Sequence, residues 1–262
     1  MSGTQHQPPA EIEKEDQMER PDVKAEQLKE KTREIVKGLQ REGLVRYIEL
    51  TEPETGERFT VLASPGATSF DRLLLVVSGV PEAAGVWSHA LLSQGRVEES
   101  SMRDYFIMTQ KHNWAMLALN PHAQGEANRH AYRGHLDATL EFLALEDSRR
   151  LCKILCFSAG GAVVTEYLNQ KTHLADRIDS LILIDPVPPA IKKNKVSPQL
   201  RDLLDRSILY GIEDPPDQLA PWATLAGSVL GMPVKGVKAR LHGELPHLLL
   251  MDVEAILTAE AR

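Results

Sequence analysis

Four unbroken apolar runs constrain this chain more than any other feature: RLLLVVS (72–78), WAMLALN (114–120), KILCFS (153–158) and LILID (181–185). A strand with one solvated face alternates apolar and polar side chains, so a continuous run of five to seven residues marks a strand covered on both faces, as in a parallel sheet. A weaker run, GVKARL (236–241), extends the series, and helix-length segments lie between, at 86–111, 134–150, 160–171, 197–230 in pieces, and 246–260. Ahead of them, LVRYIEL (44–50) and ERFTVLA (57–63) flank the turn-forming stretch from Thr51 to Gly56 and read as an antiparallel hairpin. A hairpin followed by alternating strands and helices predicts an α/β fold: a mostly parallel central sheet, the hairpin at one edge, helices on both faces.

The same patterning divides the chain. Residues 1–22 are polar, carry Pro8, Pro9 and Pro21, and offer little to bury, which predicts a disordered tail. Residues 23–42 space Leu28, Ile35, Val36 and Leu39 among charges and predict an amphipathic helical arm, leaving 43–262 as one domain. The irregular, proline-rich stretch 188–232 is expected to cover a pocket as a short cap. A formal net charge of −7 argues against broad electrostatic binding to nucleic acid, which needs the opposite sign. Cys152 and Cys156 would stand about 13 Å apart in a strand, beyond disulfide reach. Reduced thiols, the lack of a secretory leader in the first thirty residues and the lack of a long apolar span lead to the expectation of a cytoplasmic or nuclear protein with no membrane partner.

Chemistry concentrates in KILCFSAGGAVVTEYL, where Ser158 separates a buried strand from an amphipathic helix and is followed by Gly160 and Gly161. A strand-to-helix turn this tight tolerates only small neighbours, lifts the serine hydroxyl above the carboxyl edge of the sheet, and aims a helix N-terminus at it: a nucleophile elbow. Cys156 stands where such turns usually have glycine. The competing assignment makes Ser158 a helix cap or a phosphate contact in an ordinary doubly wound fold. An elbow serine needs a base, and the base needs an orienting acid, in the chain order Ser, acid, His. Asp185 closes the run LILID before Pro186, Val187, Pro188 and Pro189 and is the candidate acid, or else a cap for the next turn. His242, after KARL, is the candidate base, with His247 as the alternative. Oxyanion donors are expected at the backbone amide of Ala159 and in the loop after the first parallel run, at Gly79 or Val80, since Pro81 has no N–H. The remaining histidines, among them His89, His112, His122, His130 and His135, lack metal-ligand spacing and are expected at the surface.

Taken in order, LLLVVSG, Ala84-Gly85 with Trp87, Leu119-Asn120-Pro121, Ser158 with Gly160 and Gly161, the strand ending in Asp185, and His242 with Glu244 and Leu245 resemble the Argonaute-binding-protein, or Arb-type, domain from about residue 40 to the end. The resemblance implies an α/β-hydrolase-like fold and places that family's serine, acid and histidine on Ser158, Asp185 and His242. The first loop departs from the family's His-Gly pattern, having Ser78-Gly79-Val80-Pro81. Two functions follow as expectations. One is a serine hydrolase acting on a small acyl substrate, an ester, thioester or amide, with no metal or organic cofactor. The other is a non-catalytic module that binds protein partners in RNA silencing, chromatin or co-transcriptional regulation.

Overall fold

The computed structural model describes residues 21–79, 84–119, 129–143, 151–215 and 217–259. Eight strands form one sheet in the order β1-β2-β4-β3-β5-β6-β7-β8: β1 (Arg46–Thr51), β2 (Arg58–Ala63), β3 (Arg72–Val77), β4 (Ala115–Leu119), β5 (Leu151–Phe157), β6 (Ser180–Ile184), β7 (Ile208–Ile212) and β8 (Val234–Val237). The first two pair antiparallel with Arg46 opposite Ala63, β2 pairs antiparallel with β4, and every later pairing is parallel. The helices are α1 (Pro21–Arg41), α2 (His89–Ser93), α3 (Val97–Ser100), α4 (Arg103–Lys111), α5 (Arg129–Phe142), α6 (Ala159–Gln170), α7 (Thr172–Ala175), α8 (Pro198–Asp205), α9 (Pro221–Leu230), α10 (Leu245–Leu248) and α11 (Leu250–Thr258). None is long and apolar enough to cross a membrane.

The apolar runs do what their continuity demands. Along β3, Leu73, Leu75 and Val77 enter one core, while Leu74 and Val76 enter another on the opposite face. The first core is closed by side chains of α5, α6 and α8, such as Leu136, Val164 and Leu203. The second is closed by α1, α4 and α11 through Val36, Phe106 and Val253. A side chain so enclosed contributes roughly 1.5–3 kcal/mol relative to exposure, which is why four such runs dictate one central sheet.

The structure corrects the sequence reading in several places. The helical pieces expected over residues 197–230 are α8 and α9, and between them lies β7, an eighth strand that the sequence reading did not include. Its run is short and contains Gly211, which breaks the apolar pattern. That glycine is required, since a Cβ there would fall 2.6 Å from the Ala223 Cβ. The stretch 188–232 is therefore less a cap than part of the domain: α8 buries Leu200 and Leu203, and β7 is ladder-paired on both sides. The segment 86–111 is three short helices rather than one. The arm helix is laid onto the sheet, with Val36 and Leu39 each 2% exposed, while its outer face carries the pairs Glu30–Arg33 and Glu34–Lys37. His135, expected at the surface, is buried because its ring stacks on Phe59 at 3.8 Å. Of the tail expected over residues 1–22, Pro21 and Asp22 instead open α1, and residues 1–20, like the linker with Gln124, Gly125 and Asn128, lie outside the described residues.

Chain order and spatial order part at β3. The chain crosses from β3 to β4 on one side, then returns to place β5 on the other side of β3. At such a reversal the connections leaving the two strands diverge and open a crevice at their carboxyl ends. Gly79 follows β3 there, and Ser158 follows β5.

Candidate active site

Ser158 sits at φ 55°, ψ −125°, a conformation rarely held by a residue with a side chain. Its backbone is pinned on both sides. The N–H donates to the Ile184 carbonyl at 3.0 Å, and the carbonyl accepts from the Gly161 and Val187 amides, each at 3.1 Å. The side chain makes no capping hydrogen bond to α6, so the helix does not explain the serine. The two glycines that follow are there for space. A Cβ on Gly160 would lie 2.1 Å from the Val77 carbonyl oxygen, and one on Gly161 would lie 2.5 Å from the Pro186 Cβ. The first contact lets α6 start against the end of β3, and the second lets the segment after Asp185 close on the turn. Because the Val77 oxygen is backbone and cannot swing away, Gly160→Ala is expected to destabilise the protein by about 3 kcal/mol and lower Tm by roughly 10 °C. Thermal melts check this against Gly38→Ala in α1, where nothing lies within 4 Å and the change should be neutral or stabilising.

Cys156, two residues before the serine, is accommodated rather than reactive. It is fully buried in the first core, and burial pushes its thiol far up from the ordinary range, as it pushes Cys152 up to about 12. Both cysteines are free.

Asp185 follows β6, also at positive φ (43°), with its N–H bonded to the Tyr210 carbonyl at 2.7 Å. Its carboxylate does not cap the next turn. Oδ1 accepts from the backbone N–H of Ile212 at 3.2 Å, and the indole N–H of Trp222 donates to both oxygens at 3.1 Å. Oδ2 meets Nδ1 of His242 at 2.5 Å. The carboxylate is wholly buried while the imidazole is 39% exposed, so the acid is held on the inside and the ring looks outward. Burial of a carboxylate is costly unless donors surround it, and here three groups do.

The imidazole lies flat on the Phe157 ring, centroids 4.5 Å apart and planes 19° from parallel. Phe157 immediately precedes Ser158, so the ring that bonds Asp185 is packed on the residue next to the serine. No hydrogen bond joins the Ser158 hydroxyl to His242, and such contacts are often long before a substrate is bound. The segment leading to His242 is not strand: β8 ends at Val237, and residues 238–241 carry the chain across. Glu244 braces that crossing. Its Oε2 accepts from the Arg240 and Leu241 amides at 2.8 and 3.2 Å, and its Oε1 pairs with Arg96 at 2.6 Å. Burial alone would raise the Glu244 carboxyl, but Arg96 and the two amides outweigh it and hold it below the usual range.

His247 is elsewhere. It lines a groove of about 600 Å³ with Glu34, Leu39 and Arg103, on the α1 side of the molecule. A Cβ on Gly79 would stand 2.8 Å from the Ser158 Cβ and 3.5 Å from the Ala159 nitrogen, which places the end of β3, the serine and the Ala159 amide around one small space. Val80 lies outside the described residues. Among the described residues no three His, Cys, Asp or Glu side chains are grouped to hold a metal.

Sequence reasoning missed Trp222 and Phe157 as parts of this cluster. A lone tryptophan after Pro221, in a stretch with few large apolar residues, was the available signal for the first. Glu244 entered only as one letter of a resemblance, and its brace is a tertiary fact.

No family model matches the chain, and no curated protein matches it by sequence. Solved structures do match. One is a protein of Thermoplasma acidophilum described as a predicted CIB-like hydrolase (TM-score 0.57, 13% identity, covering 82% of this chain and 98% of that one). Another is an esterase of Pyrococcus furiosus (TM-score 0.56, 14% identity, 82% and 90%). A third is an α/β serine hydrolase without a lid from Xanthomonas campestris (TM-score 0.51, 15% identity, 82% and 92%). The fold is that of the α/β hydrolases. At these identities the likeness speaks for the architecture, and function has to be argued from the site.

Proposed function

We propose that this chain is a serine hydrolase that cleaves an ester, thioester or amide with Ser158 as nucleophile, His242 as general base and Asp185 as the group that orients the base. The observation that carries it is the buried Asp185 carboxylate bonded to an imidazole that rests on the residue next to a strained, uncapped serine. With Nδ1–H donated to Asp185, Nε2 is left free to accept the Ser158 proton as Oγ attacks the substrate carbonyl. The resulting oxyanion would be met by the Ala159 N–H at the start of α6 and by a donor from the loop that begins at Gly79. His242 then returns the proton to the leaving group, and a water activated by the same nitrogen releases the acid and frees Ser158. Esterases among the structural neighbours support the reaction class.

The motif order that resembles the Arb-type domain supports a second reading, a protein-binding module in RNA silencing, chromatin or co-transcriptional regulation. The observation favouring it is the first loop, whose Ser78-Gly79 replaces His-Gly and whose Pro81 cannot donate. A fluorophosphonate probe separates the two. Under the hydrolase reading, the wild-type protein is labelled and mass spectrometry finds the adduct on the peptide holding Ser158. An unlabelled wild-type protein favours the module, and an adduct on another residue overturns Ser158.

A further inference from the structure

The arm helix α1 supplies no group to the proposed triad, yet a short run of contacts joins it to the His242 ring. Val36 presses on Gly85, where a Cβ would lie 2.9 Å from Val36 Cγ2 and 3.2 Å from Leu62 Cδ1 of β2. One turn earlier on the arm, Thr32 Oγ1 meets Nε2 of His89 at 3.5 Å. Residues 85–89 therefore rest on α1 at both ends. Between those ends the same segment touches the site. The Trp87 ring meets the Phe157 ring edge to face, centroids 6.2 Å apart, and Phe157 carries the His242 imidazole. Ser88 is pressed against the residue after the base, since a Cβ on Gly243 would fall 2.4 Å from the Ser88 Oγ. Leu62 and Phe157 stand on strands separated by β4 and β3, so the segment reaches across the face of the sheet from the arm to the base.

Backbone bonds hold this segment along one edge only. Val86 bridges Ser101, the Trp87 N–H donates to the Ser100 carbonyl at 2.6 Å, and the Gly85 carbonyl accepts from Met102 at 3.0 Å, all at the junction of α3 and α4. Trp87 is 1% exposed, and its indole N–H has no partner among the described residues, so packing alone places the ring. A ring held by shape shifts when what packs behind it recedes. We infer that α1 is a positioning part of the active site: Val36 and Thr32 hold residues 85–89 against Phe157 and Gly243, and so set the place of the His242 ring. The inference rests on the hydrolase reading for its kinetic consequence. Neither arm residue touches the reacting atoms. Displacing a catalytic group by about 1 Å costs on the order of 100-fold, so the fraction of an ångström opened by removing the Val36 methyls costs roughly tenfold.

The test compares Val36→Ala with Leu39→Ala. Leu39 is equally buried, about one turn along the same helix, and lines the groove that holds His247. Both variants are melted, then assayed at a temperature where circular dichroism shows each folded, with kcat expressed per serine titrated by fluorophosphonate. Val36→Ala is expected to lower kcat roughly tenfold with KM nearly unchanged. Leu39→Ala removes more apolar volume and lowers Tm at least as far, yet is expected to keep kcat. Val36→Thr retains the shape of valine and should keep kcat while lowering Tm, because its hydroxyl is buried. Equal losses of kcat in Val36→Ala and Leu39→Ala, or an unmoved kcat in Val36→Ala, overturn the inference. Where Val36→Ala does not fold, Thr32→Ala takes its place, with a loss of about threefold expected and an unmoved kcat again overturning it. A second arm needs no turnover. In Ser158→Ala protein carrying 13C-labelled histidine, the His242 ring protons, recognised by their loss in His242→Gln, lie over the Phe157 face and are expected upfield. Adding Val36→Ala is expected to move them downfield, and adding Leu39→Ala to leave them in place. That displacement, in a protein whose wild type shows no Ser158-dependent turnover, retires the hydrolase reading and keeps the hold of the arm on the ring. Wild-type turnover, with kcat and ring signals both unmoved by Val36→Ala, does the reverse.

Discussion

Replacing Ser158 by alanine is expected to remove turnover of activated esters by a factor on the order of 10⁶ in kcat while leaving the fold intact. The two halves of that expectation have separate physical grounds. Under the proposed mechanism Oγ is the atom that forms the acyl bond, and the described side chains bonded to Asp185, Trp222 and His242, offer no hydroxyl or thiol in its place. The hydroxyl contributes little to stability, because it does not cap α6 and the backbone bonds that hold the turn use the amide and carbonyl of residue 158, which alanine retains. A change in unfolding free energy within about 0.5 kcal/mol follows. The strain at φ 55° belongs to any residue with a Cβ, so Ser158→Gly should release part of it and be more stable than Ser158→Ala, by up to about 1 kcal/mol after glycine's entropy cost. Steady-state kinetics with subtraction of background aminolysis, together with denaturant unfolding, check both. Wild-type turnover in Ser158→Ala would end the assignment.

Asp185→Asn is expected to cost roughly 10⁴-fold in kcat with little loss of fold. The carboxamide has the shape of the carboxylate, and its oxygen can still accept from the Ile212 amide and the Trp222 indole, the two donors that fasten β7 and α9 to this point. Its nitrogen would then face Nδ1 of His242 as a donor. That reverses the imidazole: the proton moves to Nε2, which can no longer accept from Ser158. Asp185→Ala should differ in kind, since it orphans the Ile212 and Trp222 donors as well and is expected to cost about 1–3 kcal/mol for the buried amide alone. Comparing kcat and unfolding free energy across the two variants separates the electrostatic role from the structural one. Near-wild-type kcat in Asp185→Asn would remove Asp185 from the mechanism.

How far the sequence alone could go follows from the range of the forces involved. The sheet was legible because an apolar run buried on both faces is a local property, written in consecutive residues such as 72–78, and only a central strand satisfies it. The elbow glycines were legible for the same reason: the crowding that demands them arises within a few residues of Ser158 on one side and at the end of β3 on the other. β7 escaped notice because Gly211, required by Ala223 across the layer, breaks its pattern from outside the strand. The sequence put His242 ahead of His247 as the candidate base, but which of the two reaches the acid is not a local property. His242 and His247 are five residues apart and both follow β8, yet the first reaches Asp185, 57 residues earlier in the chain, while the second turns into the groove beside α1. The segment that carries His242 is held by Glu244, itself paired with Arg96, and Trp222 arrives at the same carboxylate from a helix 37 residues away. Local patterning determined the strands other than β7, most of the helices and the elbow of this protein. Tertiary structure decided which side chains converge, because a hydrogen bond between distant segments depends on the packing of everything between them.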